Sequence, residues 1–345
     1  MHMADALVSP WVGGAFWVIS GALIGHSAKK IAAEKDYSKT PLMGILGAFV
    51  FAAQMINFTI PGTGSSGHLG GGLLLTALLG PYRAFITIAS VLTIQCFLFA
   101  DGGILALGCN IFNLGFFPAF IAFPFIYRLT PGNRKSPVTI GFASITAATA
   151  GLLMGALSVI FQTLLSGISE LPFTTFSLFM LPIHLVIGII EGLVVWMVLI
   201  FVSKAEPSLL IPANTIKPSR RILITLAVTA LLIGGVVSWF ASSNPDGLEW
   251  SISKVTGQEE LIHSGNAIHS ILDDLQKKFA FLPDYSFKAT ESLHSGESHT
   301  PPESVSSVRT GTSFSGVAGS LLVLLLVGIT GYFLRSVSKK SRADT

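Results

Sequence analysis

The residues best suited to chemistry in this chain lie in two short stretches. One is Met1-His2, and the other is the loop Gly62-Thr63-Gly64-Ser65-Ser66-Gly67-His68-Leu69-Gly70-Gly71-Gly72. A free α-amine, the next backbone amide nitrogen and that residue's own imidazole chelate one metal ion through adjoining five- and six-membered rings. Met1 and His2 supply those three nitrogens in one plane. The imidazole of His68 would complete a square, the geometry favoured by Ni(II) and Cu(II). The amide must lose its proton to ligate, so binding is expected to weaken as pH falls. Glycines on both sides of His68 allow close backbone approach and positive φ. From the residues alone two readings stay open: a loop that closes on a metal, or a flexible connector beside a chance Met-His.

The elements that must position these residues are membrane spans. The chain has 345 residues, 51% hydrophobic and 11% charged, where a soluble protein carries about 25% charge. Apolar runs of about 20 residues, enough to cross a bilayer as helix, recur along it. Nine spans are read, at 11–27, 43–60, 69–80 (short and glycine-rich), 84–100, 104–127, 137–163, 179–203, 222–242 and 314–334. The expected fold is an all-α integral membrane protein. About seven transmembrane helices form a first domain over 1–206, and two more in 219–345 flank an external loop at 243–313. Residues 207–218, polar and proline-punctuated, read as a cytoplasmic linker. Residues 290–312 look poorly ordered by composition. Cys96 and Cys109 lie in apolar runs and read as small core residues.

Charge sets the expected orientation. No Lys or Arg precedes the first apolar run, the reverse of a cleavable signal, so this segment is expected to stay. Sixteen of the 21 basic residues fall into loops on one side, from Lys29, Lys30, Lys35 and Lys39 to Arg335, Lys339, Lys340 and Arg342. The other five share one long segment that the positive-inside rule does not count. The N-terminus and the loop 61–72 are therefore expected outside, and the C-terminus in the cytoplasm. Dispersed basic residues give no reason to expect a nucleic-acid partner.

Several polar residues sit at helical spacing within these runs. Gln54 and Asn57 share a face, as do Asn110 and Asn113; such residues either join helices or orient His2, His68 and the loop. Asp101 opens an external turn and reads as a cap or an anchor for the N-terminal arm. His184 and Glu191, seven apart, share an intramembrane face and suggest an internal polar contact or a coupling role. His263, His269, His294 and His299 read as a solvated external group, with weak metal gathering as the alternative.

The order of four motifs resembles the CbiM/NikM family. The first is Met1-His2-Met3-Ala4-Asp5-Ala6-Leu7-Val8-Ser9-Pro10, and the second is Ala53-Gln54-Met55-Ile56-Asn57-Phe58 leading into the glycine loop. Ala100-Asp101-Gly102-Gly103 with Asn110-Ile111-Phe112-Asn113 is the third, and the stretch from His184 to Ile189-Ile190-Glu191-Gly192 is the fourth. Members are substrate-capture (S) components of nickel and cobalt energy-coupling-factor importers. The resemblance implies Met1, His2 and His68 as metal ligands. Asp5, Ser66 and Gly67, within the same motifs, join Gln54, Asn57, Asp101, Asn110 and Asn113 as expected loop-positioning residues. It also implies Ni(II), or alternatively Co(II), as transported substrate, with no organic cofactor. The implied partners are a transmembrane T component (NikQ/CbiQ-like) and an ABC-type ATPase (NikO/CbiO-like), in the cell membrane of a prokaryote. No GxxxxGK[ST] pattern occurs here, so ATP hydrolysis is expected on separate chains. Pro245-Asp246-Gly247-Leu248-Glu249 is similar to the signature of PDGLE-type (NikN-like) accessory domains, which implies help in loading or coupling the metal site.

Two competing classes fit less well. Gly64-Ser65-Ser66-Gly67 matches the Gly-x-Ser-Gly of rhomboid-type intramembrane serine proteases, with His184 as a conceivable base. Its serines sit in an external glycine loop, and Met1-His2 is left unexplained. A passive metal channel needs sites weak enough to leave, and a four-nitrogen chelate binds too tightly for that.

Overall fold

The computed structural model describes residues 2–34, 36–132, 136–210, 217–259, 261, 267–287 and 305–343, the last of these by backbone alone at 305–309 and 336–343. Met1, His263, His294 and His299 lie outside the described residues, as does 290–304. After an N-terminal arm, α1 (Pro10–Glu34) and α2 (Thr40–Gln54) lead to a hairpin of β1 (Phe58–Ile60) and β2 (Ser65–Gly67). The short α3 (Gly72–Leu79) and α4 (Pro81–Phe99) follow. Next, α5 (Leu107–Ile111) runs into a wider-wound helix, Phe112–Tyr127. The long α6 (Pro137–Ser166) and α7 (Phe173–Ala205) complete the first part. The last third contains α8 (Arg220–Gly235), α9 (Gly247–Thr256), α10 (Ala267–Phe279) and α11 (Val305–Ala343).

Local sequence accounts for several boundaries. Pro81 and Pro137 open α4 and α6, where a missing N–H costs nothing. Gly167 and Gly257 take left-handed φ to close α6 and α9. Pro118 and Pro124 remove two donors from the ladder of Phe112–Tyr127, which winds with wider hydrogen bonds.

Among the described residues, five helical stretches are long and apolar enough to cross a membrane: α4, Leu107–Tyr127, α6, α7 and Thr310–Arg335 of α11. Their outward side chains, among them Phe142, Leu165, Leu178, Met197, Leu321 and Leu325, are exposed hydrophobics that suit lipid. The chain is a multi-pass membrane protein. Small residues bring its helices together, as expected where lipid removes the hydrophobic drive. A Cβ added at Gly188 or Gly192 of α7 would stand 2.7 or 2.4 Å from the α6 backbone at Thr149 or Ile145. The accessory helices α8 and α11 cross at Gly234 and Gly316 and pack against α2.

Four expectations need correction. The 43–60 run ends as helix at Gln54 and continues into β1, since Asn57 and Pro61 interrupt it. The 69–80 run forms only the eight residues of α3, a reach of about 12 Å. Within the expected external loop, Gly247–Thr256 and Ala267–Phe279 fold into α9 and α10, and Pro283–Tyr285 forms a 3₁₀ turn. Residues 305–312, grouped with a poorly ordered segment, begin α11. A Cβ at Gly311 would meet the backbone of Ser286 and Phe287 at 3.3 Å, and the next turn bonds through Ser313 Oγ to Gly235 O.

Gly316→Val should therefore separate α8 from α11, because its Cβ would overlap Gly234 O at 2.1 Å. A loss of about 1–3 kcal/mol is expected, read as a lower melting temperature in detergent. Gly328→Val, with nothing within 4 Å of its Cβ, should leave that temperature unchanged.

Candidate metal centre

The N-terminal arm is held by backbone pairing supplied from α5 and the turn before it. Met3 N donates to Asn110 Oδ1 (2.8 Å) and Asn110 Nδ2 donates back to Met3 O (3.1 Å), as a strand partner would. Gly103 N also donates to Met3 O, and Asp5 Oδ1 accepts from Ala106 N (2.9 Å). Asn113 pairs reciprocally with Gln162 of α6 and brings its Nδ2 to 3.7 Å from Met3 Sδ. Met3, Leu7 and Val8 are wholly buried, so the arm is part of the core.

The glycine loop is tied to two helices. Glu191 of α7 accepts from Gly70 N (2.8 Å) and Gly71 N (3.1 Å), while Gln54 Nε2 of α2 donates to Gly70 O (2.9 Å). Gly71 is required twice over: its φ is +76°, and a Cβ there would stand 2.4 Å from Val50. A Cβ at Gly67 would meet Ile187 of α7 at 2.5 Å. The side chain of Asn57 enters no contact among those described, but its carbonyl accepts from Ser242 N (2.7 Å).

These anchors bring His2 and His68 face to face. Their rings stack with centroids 5.0 Å apart and planes 9° from parallel. His2 Nδ1 lies 3.0 Å from Asp101 Oδ1, and His2 Nε2 is buried with no hydrogen-bond partner among the described residues. Burial opposes the charge on Asp101, but the His2 ring and the Tyr285 hydroxyl outweigh it and hold its carboxyl well below the usual range. For His68, burial pushes the pKa below that of an ordinary imidazole, which favours the neutral form that ligates metals. His68 Nδ1 sits 3.1 Å from Leu69 O, a group that only accepts, which favours a proton on Nδ1. The Nε2 of the same ring faces Asp246 Oδ2 at 3.8 Å.

Asp246 belongs to the last third of the chain and was not singled out from the sequence beyond its motif. Its Oδ1 caps α9, accepting from Leu248 N (2.7 Å) and Glu249 N (2.9 Å), while Glu249 Oε2 accepts from Asp246 N. This capping box gives the Pro-Asp-Gly-Leu-Glu signature a local structural reason. The same third of the chain covers the site from several directions. Pro245 O accepts from Ser66 N (2.8 Å), and Asn244 O accepts from Ser66 Oγ (2.8 Å). Trp250 Nε1 donates to Thr63 O, Gln276 Nε2 to Gly102 O, and the Tyr285 hydroxyl to Asp101 Oδ2 (2.5 Å). His269, read as part of a solvated group, is buried in α10 with its Nε2 2.9 Å from Val8 O. Tyr285, Gln276 and Gln162 carried no sequence signal, since each acts through a partner distant in the chain.

The other sequence candidates fall on the same centre. His184 lines a small cavity with His68 and Asp246, and its Nδ1 is 2.8 Å from Met180 O. Among the described residues no three His, Cys, Asp or Glu side chains stand close enough to hold one ion as they sit. The hydroxyls of Ser65 and Ser66 meet the Thr63 hydroxyl and the carbonyls of Asn244 and Pro245, in place of the imidazole that a serine nucleophile requires.

Known proteins resemble both parts of this chain. The model of the CbiM family, described as a cobalt uptake substrate-specific transmembrane region, matches residues 2–209, and that of the PDGLE domain matches 220–336. A chain of Archaeoglobus fulgidus, provisionally named a fused nickel transport protein NikMN, is 30% identical over 333 residues, 94% of this chain and 96% of its own. The cobalt transport protein CbiM of Sorangium cellulosum is 27% identical over 61% of this chain and 94% of its own. A crystal structure of a transition metal transporter superposes with a TM-score of 0.53 at 29% identity, covering 60% of this chain and 95% of the other.

Removing the carboxylate of Glu191 should loosen the loop that carries His68. Glu191→Ala is expected to lower amide-exchange protection at Gly70 and Gly71 by the equivalent of about 1.5–3 kcal/mol for each lost charged hydrogen bond. Unchanged protection would show that the loop is held by other contacts.

Proposed function

This chain belongs to the CbiM family, with a NikN-like domain fused behind it, and from that premise we propose that it captures Ni(II) for an ATP-driven energy-coupling-factor importer. The observation that carries the reading is the stacked pair His2 and His68, two imidazoles from chain segments 66 residues apart, brought together by buried backbone anchors. In a chain whose Met1 amine is free, that amine, the His2 amide nitrogen and His2 Nδ1 form the chelate, and His68 Nε2 supplies the fourth nitrogen.

The residues around the pair have defined parts in capture. Asp101 holds the His2 ring through Nδ1, so ligation by that nitrogen replaces the Asp101 hydrogen bond. The Tyr285 hydroxyl keeps Asp101 in place on its far side. Asn110, Asp5 and Gly103 fix the arm, and Glu191 and Gln54 fix the loop, so the two imidazoles are held beside one another before an ion arrives. Neutral His68 offers its lone pair without first losing a proton. Met1, His2 and His68 face outside in this reading, with a T component and ATPase subunits on separate chains. Co(II) is the second reading: the family description and the Sorangium relative both name cobalt. Nickel is favoured by the fused accessory domain, which the full-length Archaeoglobus relative shares.

A chain carrying a long histidine-free tag before Met1 should lose most of its nickel affinity, as should His68→Ala, measured by equilibrium dialysis on purified protein. Removing a first ligand should cost at least the 10–100-fold typical of losing an outer-shell partner. Full affinity in the extended chain would contradict the chelate.

A further inference from the structure

Helix α10 has three sides, and only one of them is used by the contacts around the metal centre. Successive residues turn by about 100° around a helix axis, which puts His269, Leu272 and Gln276 together on the side turned to the protein. His269 is buried with its Nε2 2.9 Å from Val8 O, and Gln276 Nε2 donates to Gly102 O (2.7 Å) and Cys96 O (3.0 Å). The rest of the helix is exposed and divides in two. Ile271, Leu275 and Phe279 share one flank, with Phe281 just past the helix end, and all four are exposed, Ile271 at 65% and Phe281 at 68%. Ser270, Asp274 and Lys277, also exposed, share the other flank. The mid-lines of the two flanks stand about 130° apart on the same count. Such a helix suits a place where protein, an apolar medium and water meet.

Its neighbours show which medium lies on which flank. The 19 residues of α4 reach about 28 Å, close to the thickness of the hydrocarbon core. The last turn of α4 therefore ends at the membrane–water boundary, and α10 with the turn after it rests there. Gln276 bonds Cys96 O, and Leu282 N donates to Leu98 O (3.2 Å). In the same turn the Phe97 ring meets the Phe279 ring edge to face, with centroids 6.4 Å apart. Side chains on a helix lean toward its N-terminus, so Phe97 leans from that boundary toward the hydrocarbon. The flank of α10 that carries Phe279 is the one beside it. Exposed aromatics mark the same end of the bundle, with Trp11 at the start of α1 and Trp239 and Phe240 just before Ser242. Aromatic belts of this kind lie at membrane interfaces.

We propose that α10 is an interfacial helix, lying in the plane of the membrane surface on the side of the metal centre. Ile271, Leu275, Phe279 and Phe281 enter the boundary between headgroups and acyl chains, and Ser270, Asp274 and Lys277 stay in water. The partner is the phospholipid surface, continuous with the lipid around the spanning helices. The apolar flank of a helix in this position sits about 5–10 Å into the boundary. Lys278, on the border between the flanks, covers apolar surface with its stem and keeps its ammonium at the headgroups. Because the third side of α10 holds Val8 of the arm and Gly102 beside Asp101, lipid on the outer flank steadies the contacts that cover the centre. The inference needs only that the chain spans a membrane, and is independent of which ion is captured and how.

The test places a nitroxide label at Ile271→Cys, Leu275→Cys, Ser270→Cys or Asp274→Cys in the full chain, reconstituted in phosphatidylcholine vesicles. All four positions are exposed, and the unsubstituted chain, whose Cys96 and Cys109 are buried, gives the blank. Collision with oxygen, which concentrates in lipid, is compared with collision with chromium oxalate, which stays in water. The oxygen-to-oxalate ratio is expected to be about threefold or more higher at 271 and 275 than at 270 and 274. Equal ratios at the four positions would overturn the proposal. Labels at 271 and 275 closed to both reagents would overturn it too, since a second copy of the chain, and not lipid, would then cover the stripe.

Discussion

Non-helical backbone within a bundle of apolar helices must have every N–H and C=O paired by protein, because lipid offers no partner. Several backbone groups of the N-terminal arm and the glycine loop are paired in this way, and polar residues of the core are placed to pair them. Asn110 pairs Met3 on both sides, Asp5 takes the amide of Ala106, Glu191 takes two loop amides and Gln54 holds a loop carbonyl. Each of these bonds joins segments far apart in the chain, so the arm and loop are oriented together. The stacking of His2 on His68 follows from that shared anchoring.

The accessory third of the chain completes the same arrangement. Its helices α8 and α11 pack through glycine against each other and against α2, which sets α9, α10 and the Tyr285 turn over the arm and the loop. Contacts from Pro245, Trp250, His269, Gln276 and Tyr285 then reach three separate segments around the two histidines. Each histidine of the pair faces one carboxylate, Asp101 from the first part of the chain and Asp246 from the second. Movement of the accessory unit therefore reaches both imidazoles, directly at His68 and through Tyr285 and Asp101 at His2.

Much of this was legible in the sequence where chemistry is local. The Met1-His2 pair, the glycines around His68 and the apolar runs carry their meaning in residue type and spacing. His2 and His68 stand in one centre, while Met1 itself lies outside the described residues. The hairpin at 58–67 was not legible, because three residues per strand are too few to show alternation. Glu191 and Gln54 could be named as polar residues within apolar runs, but not as partners of Gly70, since pairing across 121 and 16 residues is a property of the packed bundle. The stretch from 243 onward misled for a related reason. Serines and glycines that resemble a solvated loop by composition also serve as the small contact surface of close-packed helices, and only the packing distinguishes the two uses. Asp246 illustrates the limit most plainly: its motif was visible, but its position opposite His68 was not.

The central claim, that one metal ion is held between the chain terminus and His68, is tested most directly by nickel K-edge X-ray absorption on the full chain with a free Met1 amine. The account predicts a square-planar edge, four nitrogen scatterers at one short distance and the outer-shell pattern of two imidazoles, falling to one in His68→Ala. A six-coordinate shell dominated by oxygen, unchanged by His68→Ala, would contradict it.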